Sequence, residues 1–119
     1  MAIEQLFLKA LVLTIVIETA VIAVAWRAGL LPSRPKTRLL EIMAAGSLPS
    51  ALTLPYLWFV VPAFLGGWNG ILAGELIVAA AEAPLLAAIL RIDAKRALVL
   101  SIACNAASFL AGGLLIQFL

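Results

Sequence analysis

Four runs of roughly twenty apolar residues, separated only by short charged or glycine-rich breaks, leave this chain almost no alternative to a bundle of membrane-spanning helices. The runs lie at about residues 6–26, 41–65, 69–90 and 97–119, each long enough to cross a hydrocarbon core as an α-helix. Hydrophobic residues make up 66% of the 119 and charged residues 12%, which leaves too little polar surface for a water-soluble domain of this size. The expectation is an all-α integral membrane protein: one four-helix transmembrane domain over residues 1–119, with no soluble domain beside it.

The basic residues fix an orientation. Arg27, Arg34, Lys36 and Arg38 fall between the first and second spans, and Arg91, Lys95 and Arg96 between the third and fourth. The connection Gly66-Gly67-Trp68-Asn69 carries no Lys or Arg, and Lys9 stands alone on that side. The positive-inside rule places the two basic loops in the cytoplasm and both termini outside a cell membrane, in a bacterial setting the inner membrane. With a net charge of only +2 and no surface that interleaves basic and aromatic residues, the chain is not expected to bind nucleic acid. The tract Ala23-Val24-Ala25 has the look of a signal cleavage site, but no basic segment precedes the apolar run and Glu18 interrupts it, so the first helix reads as a retained span.

Cofactor chemistry is narrowed by what is missing. The sequence has no His and one Cys, Cys104, so His-ligated haem, a His-containing zinc site and an internal disulfide are all excluded within the chain. No cofactor is expected. Nor is an enzyme: no nucleophile stands with a recognisable base, which leaves only a membrane-embedded acid–base reaction as a remote enzymatic reading.

Against this apolar background Glu18, Glu75 and Glu82 are conspicuous, because each sits inside a span. A carboxylate at the centre of a bilayer costs on the order of 2.5–3.5 kcal/mol even on lenient insertion scales, and normally faces a partner or a wet path. Counting from the span ends at about 1.5 Å per residue puts Glu18, Thr53, Glu82 and Asn105 at nearly one depth, one from each helix. Glu75 precedes Glu82 by two helical turns on about the same face, so the two form a line of acids leading outward. Ser101, Asn105, Ser108 and Gly112 share one stripe of the fourth helix. For the serines, hydrogen-bonded helix packing competes with a functional role, whereas Glu18 and Glu82 cost more than one such bond returns. Two carboxylates in a low-dielectric layer do not readily both ionise, so a proton, a cation or neutral donors such as Asn105 and Thr53 must stabilise them.

Two internal correspondences suggest a duplicated helical hairpin. Glu18 precedes Arg27 by nine residues and Glu82 precedes Arg91 by nine, while Ser50-x-x-Thr53 in the second span matches Asn105-x-x-Ser108 in the fourth. Two hairpins related by an axis along the membrane normal are a recurrent transporter plan. Pro49, Pro55 and Pro62 interrupt the second span, and Pro84 frees the carbonyl of Ala80 near Glu82, a possible hard ligand. Gly66, Gly70 and Gly74 form a small-xxx-small series. Tyr56, Trp58 and Phe59 read as lipid-facing or packing residues, and Glu41 as an interfacial partner of Arg38.

The function expected from this pattern is a small channel or carrier subunit passing protons or small cations. Glu18 and Glu82 form the central site, Glu75 an outer relay, and Thr53, Asn105 and Ser108 the polar lining. Four helices enclose little lumen, so a homo-oligomer or a partner membrane subunit is expected besides the lipid bilayer. The alternative is a structural or assembly subunit of a larger membrane complex, its glutamates paired to partner helices. Carboxylates converging on one inner layer favour the first reading, and carboxylates on an outer protein surface the second.

Overall fold

A computed structural model describes residues 3–31, 39–60, 64 and 66–115 of the chain. Its helices are α1 (Ile3–Arg27), α2 (Leu39–Pro55), α3 (Gly67–Leu90) and α4 (Ala94–Leu115), with no strand among the described residues. A π-helical turn, Tyr56–Val60, continues α2 directly after Pro55. With that turn included, the four helices hold 25, 22, 24 and 22 residues and are apolar enough to cross a membrane. At 1.5 Å per residue they reach about 33–38 Å, against a hydrocarbon core of about 30 Å. By length and composition this is a multi-pass membrane protein.

The helices pack as a ring in which α1 touches α2 and α4, and α3 touches α2 and α4. Helices α1 and α3 therefore face each other across the middle, the placement that lets Glu18 and Glu82 look toward a common centre. Arg27, Arg91, Lys95 and Arg96 mark one end, the basic end. The start of α1, the π turn, the start of α3 and the end of α4 mark the other, the terminal end. Arg34, Lys36, Arg38, Pro62, Leu65 and residues 116–119 lie outside the described residues.

The apolar core occupies the basic half. Ile22 of α1, Ile42 of α2, Leu86 and Leu90 of α3, and Ala97 and Leu100 of α4 are buried against one another there. Its register repeats. The buried residues Ile42, Ala45, Gly46, Pro49 and Ser50 of α2 correspond, at a uniform offset of 55, to the buried Ala97, Leu100, Ser101, Cys104 and Asn105 of α4. Glu18 and Ile22 of α1 correspond to Glu82 and Leu86 of α3 at an offset of 64. Outside the ring, Leu8, Val12, Val16 and Val24 of α1 and Leu72 and Leu76 of α3 are exposed, as a lipid-facing surface requires.

Close approach is local and sequence-encoded. A Cβ on Gly46 would collide with Thr19 Oγ1 and lie 2.7 Å from Thr19 Cα, so only glycine lets α2 come this near α1. Gly70 and Gly74 are buried within the bundle, whereas Gly66 is exposed at the N-cap of α3.

Helix α4 departs from the hydropathy reading at its start, whereas α3 ends at Leu90, where that reading put it. Helix α4 starts at Ala94 rather than 97 because Asp93 caps it, its Oδ2 accepting the Arg96 backbone N–H at 3.2 Å. Helix α3 is stopped by Arg91, which takes a left-handed conformation (φ 55°) while its N–H donates to the Ala87 carbonyl. Glu41 meets Arg91, one guanidinium nitrogen lying 2.9 and 3.2 Å from its two oxygens, while its expected partner Arg38 lies outside the described residues. The helix ring brings the start of α2 beside the end of α3, a proximity that chain order does not reveal.

Candidate functional site

The polar residues of all four helices meet in one cavity of about 340 Å³ in the terminal half of the bundle. Helix α1 brings Thr14 and Glu18, α2 brings Ser50 and Thr53, α3 brings Glu75 and Glu82, and α4 brings Asn105 and Ser108. All six residues singled out from sequence, Glu18, Thr53, Glu75, Glu82, Asn105 and Ser108, line it. Its rim includes the exposed Leu6 and Gly113, so it reaches the surface at the terminal end. At mid-depth it ends on the apolar core of Ile22, Ile42, Leu86 and Leu100, none of which lines it. The cavity is a blind vestibule with its acids at the bottom.

At that bottom the two glutamates differ. Glu82 is 2% exposed and both of its oxygens are met: Asn105 Nδ2 donates to Oε1 at 2.7 Å, and Thr53 Oγ1 lies within donating distance of Oε2 at 2.6 Å. Asn105 is held in turn, since its Nδ2 also donates to the Ser101 carbonyl at 2.8 Å. Glu18 is 4% exposed and only half satisfied. Ser50 Oγ donates to its Oε2 at 2.6 Å, and Oε1 is buried with no partner among the described residues. Glu75 stands higher in the vestibule, half-buried and without a hydrogen bond among the described residues.

No Lys or Arg is among the residues that line the vestibule with these acids. The ion pairs Arg91–Glu41 and Arg96–Asp93 both lie at the basic end. A buried carboxylate without a counter-ion is among the costliest groups a membrane interior can hold. Nor is any group of three or more His, Cys, Asp or Glu side chains gathered to grip a metal ion among the described residues.

Several residues take places the sequence did not announce. Ser108 lines the vestibule, but its hydroxyl donates to the Asn105 carbonyl at 3.2 Å rather than to a glutamate. Ser101 Oγ donates to the Ala79 carbonyl at 2.7 Å and ties α4 to α3, a packing role. Ser50 is the residue missed. It is fully buried and is the direct donor to Glu18, and its signal was the match with Asn105 in the two hairpin motifs.

Trp58 was read as lipid-facing or packing, yet it lines the vestibule mouth, edge-on to Phe7 at 5.7 Å between ring centres. Trp58 follows the buried Ser50 and Leu54 at four-residue spacing, while Tyr56 and Phe59 stay exposed. The carbonyl freed by Pro84 offers nothing to the site. Ala80 and Pro84 are exposed on the far side of α3 from the buried Glu82, because two residues turn a helix by about 200°.

Comparison with protein-family models, with curated proteins and with solved structures finds no match, so the site is read from its own geometry.

Proposed function

We propose that this protein is a carrier subunit that moves protons, or a small cation together with them, through the carboxylate layer of Glu18 and Glu82. One observation carries the reading: three acids share one blind vestibule whose lining includes no Lys or Arg. Such a layer is stabilised by protons or cations arriving from outside the chain. The vestibule supplies the route to it from the terminal end, with Glu75 partway along. By the positive-inside rule that end faces the cell exterior and the basic loops face the cytoplasm.

The apolar core beneath the acids favours a carrier over an open channel. Nothing polar continues from Glu18 toward the basic end through Ile22, Ile42 and Leu86, so passage requires a rearrangement of the ring. Proton exchange at Glu82 has a local path. Thr53 Oγ1 lies 2.8 Å from the Pro49 carbonyl as well as 2.6 Å from Glu82 Oε2, and it has one proton to give. With Glu82 ionised, that proton points to the carboxylate. With Glu82 protonated, the acid donates to Thr53 and Thr53 turns to the Pro49 carbonyl, so both protonation states keep their hydrogen bonds.

The matched burial offsets of α2 with α4 and of α1 with α3 support two hairpins related by a pseudo-twofold axis along the bundle. On that plan Ser50 and Asn105 are equivalent donors, one to each glutamate. The carrier unit is taken to be an oligomer, or to pair with a partner membrane subunit, because four helices enclose little lumen. The alternative, an assembly subunit whose glutamates pair with partner helices, is disfavoured because Glu18 and Glu82 are buried inside the ring.

Flux in proteoliposomes tests the reading. The parent is expected to dissipate a proton or cation gradient, and folded Glu18→Gln and Glu82→Gln variants to lose that activity. A parent inert under proton, sodium, potassium and organic-cation gradients overturns it in favour of the assembly subunit.

A further inference from the structure

We propose that the vestibule binds a protonated primary amine with a small apolar body, an alkyl- or arylalkylammonium ion, whose N–H donates to Glu18 Oε1. This rests on the carrier reading and names its cargo. Three of the four carboxylate oxygens at the vestibule floor already have donors in the chain: Ser50 for Glu18, Asn105 and Thr53 for Glu82. Among the described residues, Glu18 Oε1 is buried without one. The nearest candidate by hairpin equivalence, Ser108, is committed to the Asn105 carbonyl. The vacant acceptor therefore calls for a donor from outside, and a charged N–H makes the shorter and stronger bond.

The vestibule's size and walls identify the rest of the ligand. A bare alkali or divalent ion needs several oxygens closing on it at about 2.3–2.6 Å. A cavity of about 340 Å³ walled by Leu13, Leu54, Leu57, Val78 and Phe109 is far roomier and mostly apolar. Cavities of this order bury small organic molecules, with a few polar groups fixing their orientation. An ammonium head on Glu18, in the field of Glu82 and Glu75, leaves the apolar tail against these walls. Trp58 at the mouth offers an aromatic face to the cation on its way in. A quaternary ammonium ion carries the charge but no N–H, and a neutral alcohol has a donor but no charge. Both should bind worse.

The test uses Trp58 as reporter. The Trp26→Phe/Trp68→Phe double variant retains it as the sole tryptophan of the three. Purified in detergent, this protein is titrated with benzylammonium, benzyltrimethylammonium and benzyl alcohol, and proton flux is measured on the same preparation in liposomes. Expected is a saturable change in Trp58 emission with benzylammonium, at least tenfold weaker binding of the other two, and a comparable loss in Glu18→Gln. The ligand series alone decides the matter if that variant does not fold. Equal binding of all three compounds, or none of benzylammonium, overturns the amine proposal. Proton flux that persists without amine binding leaves the carboxylate path standing, with water serving Oε1. Loss of both overturns the two readings together.

Discussion

Asn105 on α4 donates its amide to Glu82 on α3 at 2.7 Å, and that amide is itself anchored on the Ser101 carbonyl one turn earlier in α4. Glu82 is therefore held from a neighbouring helix by a donor that cannot swing away without breaking a second bond. With Thr53 on its other oxygen, Glu82 is a finished hydrogen-bonding unit, while Glu18 is an unfinished one.

This difference separates two substitutions at position 82. A glutamine fits the same partners: its oxygen accepts from Asn105, and its amide donates to Thr53, whose hydroxyl turns to the Pro49 carbonyl. Glu82→Gln should therefore melt near the parent while flux is lost. Leucine leaves Asn105 and Thr53 facing nothing, and an unmet buried polar group costs about 1–3 kcal/mol. Glu82→Leu should melt several degrees lower in detergent. Similar melting of the two variants would mean that Asn105 and Thr53 do not depend on Glu82.

The approach of α2 to α1 gives a sharper packing test. Gly46→Ala places a methyl against Thr19, one residue after Glu18, in a contact that neither backbone can yield easily. Overpacking of this kind costs about 1–3 kcal/mol. At Gly112, by contrast, the nearest atom to an added Cβ is Leu13 Cδ2 at 3.9 Å. Gly112→Ala should stay within about 1 kcal/mol of the parent, on the stabilising side, since alanine is the better helix former. Thermal unfolding of the two variants side by side checks the pair, and equal stability would place α1 and α2 farther apart.

What the sequence made legible follows from where the physical signal is strong. Four apolar runs give four helices because a bilayer leaves the backbone no other way to satisfy itself. The common depth of Glu18, Thr53, Glu82 and Asn105 was readable from residue counts, since helical rise is constant. What depended on nonlocal proximity was not. Trp58 meets Phe7 of α1 at the vestibule mouth, and Glu41 meets Arg91, both through the ring order of the helices. The vacant oxygen on Glu18 is a matter of side-chain geometry, and nothing in the sequence distinguishes Glu18 from Glu82 in this respect.

Orientation is open to direct chemistry. Cys104 is 2% exposed, so the native thiol should stay unlabelled by a membrane-impermeant maleimide in the folded protein and need not be removed. Gly66→Cys and Asp93→Cys then report on opposite ends, both positions being exposed. In intact cells Gly66→Cys should label and Asp93→Cys should not, until the membrane is permeabilised. The reverse pattern would put the basic loops outside and turn the vestibule toward the cytoplasm.

Glu75 separates entry from transfer. It lines the vestibule above Glu18 and Glu82 and makes no hydrogen bond among the described residues, so its charge acts on whatever approaches the floor rather than on the floor's own bonding. Removing such a charge weakens attraction of a cation into a low-dielectric cleft without altering the site of transfer. In proteoliposome flux, Glu75→Gln should raise the half-saturating cation concentration several-fold and leave the maximal rate within about twofold of the parent. Glu18→Gln should abolish the maximal rate at any concentration. A Glu75→Gln variant as inactive as Glu18→Gln would make Glu75 part of the transfer site itself. The working centre would then span the two helical turns between Glu75 and Glu82, and not a single layer at mid-depth.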